Sequence, residues 1–217
     1  MAKNTTKDYD AELNKTVFNI KHQRTFCMIK PDGVMRGLIG EIIRRIEKAG
    51  LKVVAMKMML PTEDLIKKHY PTSDAAWVAR LGSKAKKGLA DLSLTAKDTY
   101  GTDDEKLLGE NVLKGLIQYM QSGPVVAMVV EGIQAINMVR KLAGPTLPFM
   151  AEMGTIRGDF SVDSPVVANV EGRSIHNLFH ASENPVEAEN EIKLWFGGEI
   201  ICDYSLGSDD IMYCKHY

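Results

Sequence analysis

VVAMVV, residues 125–130, is the stretch on which the fold turns. Six consecutive apolar residues, four of them valine, have the length and β-branched character of a strand, and SGP at 122–124 breaks the chain just before it. On its N-terminal side GENVLKGLIQYMQ (109–121) reads as a helix. On its C-terminal side a helix is expected over about 133–142, with Ile136, Val139 and Arg140 on adjoining positions.

Further out the same alternation continues. RTFCMI (24–29) holds the continuous apolar run Phe26, Cys27, Met28 and Ile29, and KPDG (30–33) stops it in a turn. GEIIRRIEKAG (40–50) is helical, and Gly50 suits its end. LKVVAMKMML (51–60) reads as a buried strand, followed by a short helix, PTEDLIKKHY (61–70), with Thr62 as N-cap. Residues 71–108 change character, with lysines at 84, 86 and 87 and acidic residues at 103–105, and read as a partly helical insertion.

A Gly/Pro-rich segment with AGPTLP and GTIRGDF fills 143–165, a length of loop that usually carries function. NPVEAENEIKLWF (184–196) is a well-signalled helix: Asn184 caps it, Pro185 takes the first position and Glu187 completes a capping box. EIICDY (199–204) is expected as a last strand. The order lacks the strict βα repeat of a doubly wound sheet. It predicts an α+β sandwich, an antiparallel sheet with helices on one face. Residues 1–23, mostly polar, read as an N-terminal extension that docks through Val17, Phe18 and Ile20; residues 24–217 read as a single domain.

The 217-residue chain suffices for one domain with a real core. A net charge of −1 gives no bulk attraction to nucleic acid or to an anionic membrane. Cys27, Cys202 and Cys214 are odd in number and never form C-x-x-C, which argues against a disulfide framework or structural zinc. With no apolar run of membrane-spanning length, the expectation is a soluble, cytoplasmic protein.

HNLFHAS (176–182) holds two of the five histidines. As zinc ligands His176 and His180 lack a third partner, and Asn177 stands where the helical protease motif needs glutamate. As a nucleophile toward phosphorus, a histidine needs one free nitrogen and an acceptor on the other. Glu191 shares a face with Ala188, Ile192 and Trp195, so it borders the core; the competing reading pairs it with Lys193 or Lys48 at the surface. Lys30, Arg140 and Arg157 are candidate phosphate donors, with Thr146 between the arginines, although arginines are commonly just solvated. RGLIGEIIRR contains the G-x-x-G of modules that clamp single-stranded nucleic acid. The Walker pattern is absent.

Taken together, TFCMIKPDGVMRGLIGEII (25–43), SGPVVAMVVEG (122–132), GTIRGDF (154–160) and NLFHAS with EAENEIKLWF, in this order, resemble the nucleoside diphosphate kinase family. The resemblance implies a ferredoxin-like α/β sandwich, βαββαβ, in a homo-oligomer, hexamer or tetramer. It implies transfer of the γ-phosphoryl group of a nucleoside triphosphate to a nucleoside diphosphate, ping-pong through a phosphohistidine. Mg2+ is implied as a cofactor carried by the nucleotide phosphates, with no metal ligand from protein side chains. By position His180 matches the phosphorylated histidine, Glu191 its orienting carboxylate supported by Ser182, and Lys30 and Asn177 the residues near ribose and phosphates. Tyr70 matches the tyrosine close to the transferred group, and Arg140, Thr146 and Arg157 match phosphate ligands.

Three departures stand out. Leu116 aligns with the family's clamp leucine, but Val112, or Leu113, stands where the family has the aromatic that stacks on the base; Trp77 or Tyr100 is a possible substitute. Insertions fall at about 71–108 and 161–176, the second supplying His176. Glu183 replaces the usual aspartate. The alternative is a nucleotide- or nucleic-acid-binding family member with reduced catalysis.

Overall fold

The computed structural model describes residues 12–13, 15–17, 19–90 and 93–212. Four strands form one antiparallel sheet: β1 (Gln23–Ile29), β2 (Lys52–Met59), β3 (Val125–Gly132) and β4 (Phe179–Ala181), in the order β2-β3-β1-β4. The stretch 125–130 lies in β3, every residue of which is buried.

The reason is a sheet covered on both faces, not one. Successive side chains of a strand point to opposite sides. Cys27 and Ile29 of β1, with Val126, Met128 and Val130 of β3, enter one core with Ile42, Ile46 and Val139. Phe26 and Met28, with Ala127 and Val129, enter a second with Ile66, Tyr119, Met120 and Trp195. The first face is therefore covered by α2 (Ile39–Lys48) and α7 (Ala135–Ala143), where α1 (Pro31–Met35) precedes α2. The second is covered by α3 (Glu63–His69), α6 (Glu105–Gln121) and α10 (Pro185–Phe196). Burying a side chain such as Phe26 contributes roughly 1.5–3 kcal/mol.

Residues 75–121 hold an antiparallel helix pair. α4 (Ala75–Ala90) runs against α6, and α5 (Ala96–Tyr100) bridges them; Ala85, Leu89, Ala96 and Leu108 form a small core of their own. The backbones touch at two glycines: a Cβ on Gly82 would sit 1.8 Å from the Glu105 carbonyl oxygen, and one on Gly109 2.0 Å from that of Val78. α6 begins four residues earlier than the sequence pattern suggested because Asp104 caps it, accepting from Leu107 N. Beyond the pair, α8 (Ile156–Phe160) carries Arg157, and α9 (Pro165–Val170), capped by Ser164, follows it.

Several other expectations are corrected. KPDG is not a turn but the start of α1, where Pro31 needs no intrahelical donor. Residues 199–204 form no strand; one backbone bond, Cys202 N to the Val54 carbonyl, ties them to β2. The side chains of Val17 and Ile20 are exposed and Phe18 lies outside the described residues, but the end of the extension is tied through its backbone, the Ile20 carbonyl accepting from Gln134 N at 3.0 Å. Next to it His22 lies 3.4 Å from the buried Glu131 carboxylate, which also pairs with Arg24 and Lys52 at 2.7 and 2.9 Å. Among the described residues no helix is long and apolar enough to cross a membrane.

A carboxylate-held histidine in a cationic cavity

Where β1 ends, its neighbour β4 and the loop before it meet the Gly/Pro-rich segment around a cavity of about 330 Å3. Lys30, Tyr70, Arg140, Thr146, Arg157, Asn177 and His180 all line it, together with Glu183 and Glu187. Seven residues singled out from the sequence thus converge from five separate segments.

The approach to the site is strained. Leu178 is buried with φ +65, a left-handed conformation that costs a branched residue roughly 1–3 kcal/mol. The kink is held from both sides: its N–H donates to Asp32 Oδ2 at 3.1 Å, and its carbonyl accepts from Lys30 N at 2.8 Å. Asp32 in turn accepts from the Tyr119 hydroxyl at 2.6 Å. Gly33 must be glycine here, because a Cβ would meet Ile29 at 2.8 Å and the Leu178 carbonyl at 3.2 Å. Asp32 is a buried organiser of the site that the sequence reading passed over as part of a turn.

His180 sits in β4 with its side chain largely buried. Its Nε2 faces Glu191, 2.8 Å from Oε1 and 3.0 Å from Oε2. Because a carboxylate only accepts, Nε2 carries the proton and Nδ1 keeps its lone pair. Glu191 is held by Ser182, whose hydroxyl donates to Oε2 at 2.6 Å. The surface pairing of Glu191 with Lys193 or Lys48 does not occur. Burial, then the Lys30, Arg157 and Arg140 charges, push the His180 pKa down to about 3, so the ring is neutral at cellular pH. Burial raises the Glu191 pKa.

The cations are arranged differently from one another. Lys30 Nζ donates to Asn177 Oδ1 at 2.8 Å, and burial, with Arg157 nearby, lowers its pKa to about 7. Asn177 passes its own amide to the Thr146 carbonyl at 3.1 Å. Arg157 is tied to three carbonyls, those of Asn177, Gly144 and Phe179, which leaves part of its five-donor fork for a ligand. Arg140 is exposed on α7 at the cavity wall. The Tyr70 hydroxyl is buried with no partner, and burial raises its pKa, so it remains an O–H donor in want of an acceptor.

Not every candidate arrives. Val112 packs against the small core of Ala85, Leu89, Ala96 and Leu108, and Leu116 against the second sheet core; neither lines the cavity. Trp77 stacks on Tyr70 with centroids 6.5 Å apart, whereas Tyr100 turns toward Asn169. The His176 ring is exposed and stacks on Tyr119 at 4.8 Å, away from Glu191. In the G-x-x-G segment Arg44 and Arg45 are paired with Glu41 and Arg36 with the Phe160 carbonyl, so the arginines are engaged within the fold.

His69 was missed altogether. It stands 4.5 Å from the His180 ring, centroid to centroid, with Nδ1 3.2 Å from Glu191 Oε1. His69, His180 and Glu191 offer three metal-capable atoms within 4.8 Å of one another, here in direct contact through His180 Nε2 and Glu191.

An antiparallel sandwich with a carboxylate-held imidazole among phosphate-seeking cations defines a class, the phosphotransferases. Comparison with known proteins narrows it: residues 23–78 and 92–201 match the family model described as nucleoside diphosphate kinase, and the chain belongs to that family. A nucleoside diphosphate kinase of Pyrobaculum aerophilum is 47% identical over 181 residues, 83% of this chain and 98% of the relative. The crystal structure of an NDP kinase from that organism superposes with a TM-score of 0.79 at 46% identity, covering 84% of this chain and all of the other. A Borreliella burgdorferi relative is 39% identical over 90% of this chain and 97% of its own length. The structure of a nucleoside diphosphate kinase from that organism, described as a transition-state mimic with bound vanadate and ADP, gives a TM-score of 0.71 at 38% identity. It covers 90% of this chain and 99% of that one.

Proposed function

We propose that this nucleoside diphosphate kinase carries the phosphoryl group on Nδ1 of His180. The observation that carries the reading is the 2.8 Å contact of Nε2 with Glu191, which leaves Nδ1 as the free nucleophile in a cavity lined by Lys30, Arg140 and Arg157. The lone pair of Nδ1 attacks Pγ of a nucleoside triphosphate, the Pγ–N bond forms and the bond to the β,γ-bridging oxygen breaks. The nucleoside diphosphate leaves with that electron pair. A second nucleoside diphosphate then attacks the phosphohistidine through a terminal oxygen, and the histidine is regenerated.

Such transfers need positioning and electrostatic stabilisation more than covalent machinery. Positive charge that develops on the ring is balanced by Glu191, itself fixed by Ser182. Arg140, Arg157 and Lys30 meet the phosphate oxygens, and the Tyr70 hydroxyl supplies an unspent donor beside the transferred group. Asn177 and Lys30, joined at 2.8 Å, suit the ribose hydroxyls, and Thr146 the phosphates. Leu116 and Val112, on α6 and outside the cavity that takes the phosphates, are assigned to the nucleobase end of the nucleotide.

The cavity carries Lys30, Arg140 and Arg157 against two carboxylates, Glu183 and Glu187, which fits a magnesium ion that arrives on the nucleotide; bound there it would supply further charge neutralisation. The protein acts on nucleoside di- and triphosphates as a cytoplasmic homo-oligomer of four or six chains, and residues 24–217 work as one domain behind the 1–23 extension. The test is steady-state transfer from Mg·ATP to GDP: the unmodified protein turns over, and His180→Ala runs at background. Background turnover by both would instead favour a family member that binds nucleotide without catalysis.

A further inference from the structure

His69 has no part in the steps above, yet it is buried against the machinery that performs them. Its ring is enclosed by Phe26, Tyr70, Trp195 and His180, with centroids between 4.5 and 5.9 Å away. Trp195 Nε1 lies 3.2 Å from His69 Nδ1, and an indole N–H can only donate. Nδ1 is therefore the acceptor, and the single ring proton sits on Nε2, a buried atom with no partner. Burial, with His180 and Lys30 nearby, keeps this ring neutral.

That tautomer has a consequence for Glu191. The Nδ1 lone pair also faces Oε1 at 3.2 Å. An ionised oxygen there is repelled by the lone pair and drawn to the N–H of His180 at 2.8 Å, while Ser182 secures Oε2 at 2.6 Å. The carboxylate is thereby confined to the orientation that serves His180.

We propose that His69, set by the Trp195 indole, is a positioning residue that holds Glu191 against His180. The inference rests on the phosphohistidine reading above. It predicts a pattern over three variants. His69→Asn places an amide near Nδ1, where its oxygen can accept from Trp195, and should keep kcat within about threefold. His69→Gln, whose amide reaches the Nε2 position, and His69→Phe, which keeps only the ring, should lose about tenfold or more in kcat. KM for ATP and GDP should stay within about twofold throughout.

In 15N-labelled protein the downfield Nε2–H resonance of His180 should persist in His69→Asn and broaden or vanish in His69→Phe. Should His69→Phe fail to fold, the Asn and Gln pair decides alone. Wild-type kcat in the Gln variant, equal losses in Asn and Gln, or a KM effect without a kcat effect would overturn the assignment. Failure of the unmodified protein to take label on His180 would remove the underlying reading itself, a result that no His69 variant can imitate.

Discussion

Replacing Glu191 with glutamine keeps the volume at the back of His180 and removes the charge. In the structure this carboxylate accepts from His180 Nε2 and from Ser182 and is almost fully buried. A hydrogen bond to a charged group is worth about 1.5–3 kcal/mol, and a full charge pair about 4 Å apart at an effective dielectric of 20 about 4 kcal/mol. The ring acquires positive character only as the Pγ–N bond forms, so the loss falls on the transition state. Between about 1.5 and 4 kcal/mol, at about 1.36 kcal/mol per decade, gives about a ten- to thousandfold fall in the rate of His180 phosphorylation. Burial already disfavours the ionised carboxylate, so the variant should fold as well as the parent. Rapid-quench measurement with excess Mg·ATP isolates this half-reaction, and KM should move little. A rate within threefold of the parent would refute the electrostatic role of Glu191.

The remaining predictions concern pH and packing. With the His180 pKa pushed down to about 3, the acid limb of kcat/KM should lie well below the roughly 6.5 of a free imidazole; a limb near 6.5 assigned to the free enzyme would contradict it. Lys30, with a pKa of about 7, is cationic below that value and loses its charge above it. ADP affinity, measured by calorimetry from pH 7 to 9, should therefore weaken as pH rises, and Lys30→Met should flatten the trend. His69 and His180 both have folded pKa values depressed to about 3, so the unfolded chain binds more protons between about 3 and 6.5. Stability should fall as pH drops through that window, by up to about 1.4 kcal/mol per pH unit for each ring, and His69→Phe should remove one ring's share of the slope in urea melts. Gly82→Ala forces a Cβ to 1.8 Å from the Glu105 carbonyl and should cost about 1–3 kcal/mol or more in the same assay; an unchanged midpoint would mean that α4 and α6 can part freely.

What could be read from the chain alone followed how locally each feature is determined. The cap of α10 depends on residues within one turn: Asn184 accepts from Glu187 N as expected, although Glu187 reaches back to Glu183 N rather than to the cap itself. The inward face of the same helix placed Glu191 beside the core. The second sheet face was legible in principle, since Phe26–Ile29 and 125–130 are apolar at consecutive positions, which a one-sided sheet does not require. EIICDY has strand composition but gains a single ladder bond to β2, and composition carries no information on pairing.

His69 and Asp32 were illegible for a common reason. Each sits in a segment with a sufficient local explanation, the charged end of IKKHY and the turn-like KPDG. Their partners, Glu191 with Trp195 and Tyr119 with Leu178, are distant in sequence. One signal was available for His69: Glu191 and Trp195 lie four apart on the buried face of α10, and a buried indole N–H needs an acceptor from elsewhere. The fate of Val112 depended on how α4 and α5 pack on α6, which long-range contacts decide.

The most direct measurement is covalent. Incubated with γ-labelled ATP and magnesium, the protein should acquire one acid-labile, base-stable label per active chain. Peptide mapping should place that label on His180. His176→Ala should label like the parent, and His180→Ala should not label at all. Equal labelling of the His176 and His180 variants would contradict the assignment of the phosphoryl carrier.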